Sequence, residues 1–131
     1  MPSNPYVWRI AAQNYGLAIA FTLFVALGSK WMGDAAGLVA LKVIMAPFFI
    51  LANRALPTFF LQPIVEPVVT YRAVEYHLLT AAVFAGFMTV IFWTPSQPVA
   101  DILRHLGSMF LVMSVAQMII LALNVRRLRR T

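Results

Sequence analysis

The sequence predicts an all-α polytopic membrane protein: four transmembrane helices in two parallel two-helix repeats, forming one transmembrane domain with both termini cytoplasmic. Three observations carry that prediction. Of the 131 residues, 62% are hydrophobic and 11% charged, with a mean hydropathy of +0.84, an apolar excess that a soluble domain of this size does not show. That excess is close to what four spans of ~20 residues require, the length a helix needs to cross a bilayer core. The third observation is charge placement. Ten Lys and Arg stand against four Asp and Glu, and the basic residues lie mostly at the ends of apolar runs, a pattern of membrane topology rather than of nucleic-acid binding.

The first span, 10–28, follows Trp8 and Arg9, an aromatic and a cation suited to an interface. Gln13 and Asn14 interrupt the apolar run that a cleaved signal peptide would need, and three further runs follow, so the stretch reads as a retained helix. Residues 29–34 make a polar turn, and the second span, 35–53, contains Pro47, which removes a helical hydrogen bond and predicts a kink. The segment 55–74 carries Pro57, Pro63 and Pro67 with Glu66 and Arg72. It therefore reads as an interfacial connector rather than a continuous spanning helix.

The third span, 75–93, ends at the turn Thr94-Pro95-Ser96-Gln97-Pro98, and the fourth, 101–124, leads into a basic tail, 125–131. Arg126, Arg127, Arg129 and Arg130 in that tail place it on the cytoplasmic side. With four spans the N-terminus falls on the same side. Arg9, Arg54 and Arg72 then lie inside, and Lys30 and Arg104 outside.

Helices in lipid pack through small residues four apart, so Ala12, Gly16 and Ala20 on the first span, and Ala82 and Gly86 on the third, are the expected contacts. Ser108, Ser114 and Gln117 are expected as interhelical hydrogen-bond partners. Lys42 lies about two turns inside its span, close enough to the outer surface to snorkel, and equally a candidate functional charge. The spacings Arg72/Glu75 and Asp101/Arg104 predict ion pairs near the headgroups.

No enzymatic chemistry is expected. The absence of cysteine excludes disulfides and thiolate chemistry. His77 and His105 begin different spans at opposite surfaces, ~30 Å apart, which does not suit a shared haem iron and marks both as interfacial. No carboxylate is expected in mid-membrane, no nucleophile sits with a base, and no metal set or phosphate loop is present, so neither a cofactor nor nucleic acid is expected.

What remains is a set of groups at the cytoplasmic side: Arg9 and Asn14 on the first helix, Asn53 and Arg54 ending the second, and Asn124 with Arg126 ending the fourth. Guanidinium and amide donors together suit a lipid phosphate, with Lys42 offering a cation nearer the outer side. Topology alone also accounts for the arginines. Ile50-Leu51-Ala52-Asn53-Arg54 and Leu121-Ala122-Leu123-Asn124-Val125-Arg126 end the two halves in parallel, as in the duplicated hairpins of small transporters.

Arg9 with Asn14, the run from Phe24 to Gly28, and Asn53-Arg54 followed by Thr58-Phe59 resemble the GtrA family of small four-helix membrane proteins. The resemblance implies a bacterial inner-membrane protein that moves a polyprenyl-phosphate-linked sugar for cell-surface polysaccharide glycosylation, with membrane lipids and a membrane glycosyltransferase as partners. The rival expectation is a non-catalytic accessory subunit of a larger membrane complex or a homo-oligomer, which small-residue stripes and aromatic faces also suit.

Overall fold

The computed structural model describes residues 5–60 and 66–131, with side chains from Val7 onward. The described residues are helical, without a strand, and four helices among them are long and apolar enough to cross a membrane. They are α1 (Pro5–Trp31), α2 (Ala36–Ala55), α3 (Tyr71–Phe92) and α4 (Val99–Leu128), with a 3-10 turn over Leu56–Phe59. Contacts divide the chain into two units, Met1–Ile50 and Leu51–Thr131.

In the first unit, α1 ends in a Schellman motif. The amide of Asp34 donates to the carbonyl of Ser29 at 3.1 Å, and that of Gly33 donates to Lys30 at 3.1 Å, with Gly33 at φ 80°. A side chain is strained in that left-handed conformation, so glycine is what lets the chain reverse within four residues. Gly33→Ala is expected to cost about 1–2 kcal/mol, read as a lower thermal unfolding midpoint in detergent.

α2 is continuous through Pro47 to Ala55. Its buried residues, Lys42, Ala46 and Ile50, recur every four positions, the spacing of one helix face. On α1 the corresponding inward positions are Val25 and Ser29, both buried, preceded by half-buried Asn14, Ala18 and Thr22. Phe21 and Phe49 meet with ring centroids 5.5 Å apart.

The expected stripe of Ala12, Gly16 and Ala20 is exposed, and a Cβ at Gly16 would meet nothing within 4 Å. The inward face of α1 instead uses mixed sizes, with Val25 and Ser29 the most enclosed.

In the second unit, α3 begins four residues earlier than the sequence reading, because Thr70 caps it: its hydroxyl accepts from the amide of Ala73 at 3.2 Å. Pro98 precedes α4, whose first turn carries Asp101 and whose last turn carries Arg126 and Arg127, the charge order that the helix dipole favours. Helical structure thus extends past Asn124 into the basic tail.

α3 and α4 are antiparallel. Ala73 clusters with Leu121 and Val125 near one end, and Thr89 and Phe92 meet His105 near the other. The packed stripe on α3 is Ala73, His77, Ala81, Ala85 and Thr89, one position before the expected Ala82 and Gly86. Ala82 is exposed and Gly86 half-buried; both line an open apolar cavity of about 530 Å³ with Ala85, Leu106 and Gly107. The alanines at 81 and 85 present the face that lets the backbones approach, while 82 and 86 border its rim.

Of the two expected ion pairs, Asp101 and Arg104 lie 3.6 Å apart. Arg72 and Glu75 form none among the described residues. Their order, base before acid along the helix, is the weaker one.

Candidate functional site

The most enclosed charge in the described residues is Lys42, whose side chain has no exposed surface. Its ammonium donates to Asp34 Oδ2 at 2.5 Å, and the hydroxyl of Ser29 donates to the same oxygen. Local geometry explains the convergence. The Schellman turn folds Asp34 back over Ser29, and a helical side chain tilts toward the N-terminus, so Lys42 reaches from two turns into α2 to the turn that precedes it.

Lys42 was read from the sequence as a snorkelling or lipid-facing cation; in the fold it ends on a carboxylate. The acid lies between the spans at Asp34, and the long lysine arm brings the charge to it. The Lys42 hydrogen bond, followed by that from Ser29, holds the Asp34 carboxyl below its usual range, outweighing the opposing effect of burial. Asp34 therefore stays ionised at neutral pH. Its sequence signal was a Gly-Asp step closing one apolar helix and a lone lysine two turns into the next.

A second polar contact joins α3 to α4. His77 is buried, and its Nδ1–H donates to Gln117 Oε1 at 2.6 Å. The rings of Tyr76 and His77 lie 5.3 Å apart, and Phe60 meets Tyr76 edge-on at 5.5 Å. His105 is half-buried, with Nδ1 3.4 Å from Thr89 Oγ1 and its ring 5.8 Å from that of Phe92.

Each histidine lies about two turns inside its helix, where the neighbouring helix covers it. Gln117 fulfils the interhelical role expected of it, whereas Ser108 donates to Arg104 O on its own helix at 2.8 Å and Ser114 Oγ is buried without a partner among the described residues. Gln117→Leu leaves Nδ1 of His77 without its acceptor and is expected to cost about 0.6–1.7 kcal/mol, with Gln117→Glu recovering most of it; reversible unfolding in mixed micelles measures both.

The expected phosphate-binding residues are distributed over both units. In the first, Arg9 is exposed and Asn14 half-buried on α1. In the second, Asn53 and Arg54 are exposed at the end of α2, and Asn124 is half-buried and Arg126 exposed near the end of α4. None of these six side chains has a hydrogen bond or ion pair among the described residues, in contrast to Lys42. Arg129 is engaged: its Nε donates to Pro67 O at 2.7 Å, tying the end of the connector to the end of α4.

Among the described residues no group of three His, Asp or Glu side chains is placed to hold a metal ion. The helices and their charges define a small multi-pass membrane protein of four apolar helices. No family model, curated protein or solved structure matches the chain.

Proposed function

We propose that the chain is a non-enzymatic carrier of the bacterial inner membrane, GtrA-like, that helps a polyprenyl-phosphate-linked sugar reorient between leaflets for surface polysaccharide glycosylation. The observation that supports this reading is the contrast between its cations. Lys42 is neutralised by Asp34, while Arg54 is exposed beside Asn53 with no partner among the described residues, and Arg126 is exposed two residues beyond Asn124.

An unpaired guanidinium at the membrane surface offers charge and a bidentate fork to a phosphate. Arg54 with Asn53 is thus the leading phosphate contact of the second unit, and Arg9 with Asn14 supplies the same groups in the first. The positive-inside rule favours the cytoplasmic side for each of these basic helix ends.

Native mass spectrometry of the protein extracted from its own membranes tests the reading. The expected result is an adduct with the mass of a polyprenyl phosphate, with or without sugar, reduced about tenfold by Arg54→Gln, the scale of one charge-assisted contact. A preparation that carries no such lipid overturns it.

A second reading, an accessory subunit of a membrane complex, is favoured by the exposed face of Ala12, Gly16 and Ala20, where the open space above Gly16 suits close approach by another helix. Its expected result in the same spectrum is a fixed stoichiometric complex with a second protein and no polyprenyl phosphate.

A further inference from the structure

At the turn between α1 and α2 an open cavity of about 430 Å³ is lined by Lys30, Asp34, Ala36, Val39, Ala40 and Val43. Its polar groups are unlike one another. Lys30 is an exposed cation whose side chain has no partner among the described residues. The side chain of Asp34 is only 3% exposed, and both of its bonds, from Ser29 and Lys42, go to Oδ2. Oδ1 is left without a partner among the described residues, an acceptor held in a fixed orientation by the bonds to the other oxygen.

Two further features act on whatever enters. The Lys42 charge cancels that of Asp34, so Lys30 leaves the cavity with one net positive charge. Ala36 on the wall is the first residue of α2; the amides of Leu38 and Val39 donate to Ala35 O, whereas those of Ala36 and Gly37 have no backbone acceptor among the described residues, and the positive end of the helix dipole favours an anion there. The remaining wall, Val39, Ala40 and Val43, is apolar and continues along α2 toward the middle of that helix.

An anion alone would use Lys30 and the helix start but leave Asp34 Oδ1 unsatisfied. A ligand that also carries a hydroxyl donor satisfies both, and one with an acyl chain covers the apolar wall. We propose that this cavity is a headgroup site for a membrane phosphodiester lipid whose headgroup bears hydroxyl groups, the phosphate lying against Lys30 and the start of α2 and a hydroxyl donating to Asp34 Oδ1. The site stands on residues separate from the arginines of the carrier reading and is independent of it.

The test compares two lipids of equal charge: dioleoyl-phosphatidylglycerol, which has headgroup hydroxyls, and dioleoyl-phosphatidylmethanol, which has none. Each is titrated into the full chain in detergent, and bound lipid is counted by native mass spectrometry. Phosphatidylglycerol is expected to bind about fivefold tighter, the scale of one added hydrogen bond. In Lys30→Gln both lipids are expected to bind about fivefold more weakly, with the preference between them kept, while Lys30→Arg binds both as the unaltered chain does.

Lys30 contributes only its backbone carbonyl to the turn, so neither substitution removes a described fold contact. Equal binding of the two lipids by the unaltered chain overturns the proposal, and so does binding of both lipids that is unchanged by Lys30→Gln. Because both probes are diacyl lipids, the outcome is separate from whether the protein carries a polyprenyl phosphate.

Discussion

Lys42→Met is expected to destabilise the protein by about 3–5 kcal/mol, the usual cost of removing one member of a buried ion pair and leaving the other charge uncompensated. Both side chains are almost fully enclosed, so solvent does little to screen the loss. Asp34→Asn is expected to be damaging in the same way, since it leaves the Lys42 ammonium facing a neutral amide. The double variant, Lys42→Met with Asp34→Asn, removes both charges and is expected to recover most of the loss. Unfolding of all four proteins in the same detergent forms a double-mutant cycle, and a cycle with no coupling energy refutes the buried pair.

The pair also has a pH signature. The Asp34 carboxyl is lowered chiefly by the Lys42 hydrogen bond and then by Ser29. A folded-state value below the unfolded one means that the stabilisation is fully present above the unfolded value, about 3.9, and is lost as pH falls through the folded value. Wild-type stability should therefore hold from neutrality down to about pH 4 and then decline. Subtracting the Asp34→Asn curve isolates the part that depends on Asp34, and the difference should retain the acid-side decline. A difference that does not vary below pH ~4 contradicts the assignment.

Ala81→Leu is expected to cost about 1–3 kcal/mol, because a larger side chain there forces α3 away from α4 or into unfavourable rotamers. Ala81 is fully buried. Ala82→Leu, one residue further on, is expected to be nearly neutral, as that position is exposed at the edge of an open cavity. Gly86→Ala should also be tolerated, since an added Cβ meets nothing within 4 Å. The comparison is sharp because the three positions are neighbours with similar chemistry. Equal losses at 81 and 82 would show that the packed register of α3 is different.

That register marks where the sequence ceases to decide. Alanine or glycine occupies 81, 82, 85 and 86, so two overlapping stripes satisfy the same four-residue spacing. Only the packed face, which also carries Ala73, His77 and Thr89, separates them. On α1 the small-residue rule selected Ala12, Gly16 and Ala20, and the enclosed face instead holds Val25 and Ser29. Small size permits close approach without requiring it, and nothing along one helix states where its neighbour lies.

The four apolar helices themselves, and the turns between them, were legible because each follows from local rules. Apolar runs of bilayer length specify the spans, Gly33-Asp34 and Pro95 to Pro98 interrupt them, and the arginines at helix ends follow from the cost of carrying charge into lipid. The exposure of Arg9, Asn53, Arg54 and Arg126 near helix ends was also legible, since exposure at a helix end is a property of position in the chain.

What only the tertiary structure decided is which polar side chains find one another. Lys42 reaches Asp34 because α2 doubles back beside the end of α1, His77 meets Gln117 across 40 residues of sequence because α4 returns along α3, and Arg129 reaches Pro67 because the chain's end comes back to the connector. A bilayer span constrains each helix independently, through its own transfer free energy; the rotation of a helix about its axis is set by its neighbours, and with it the partner of every buried polar group.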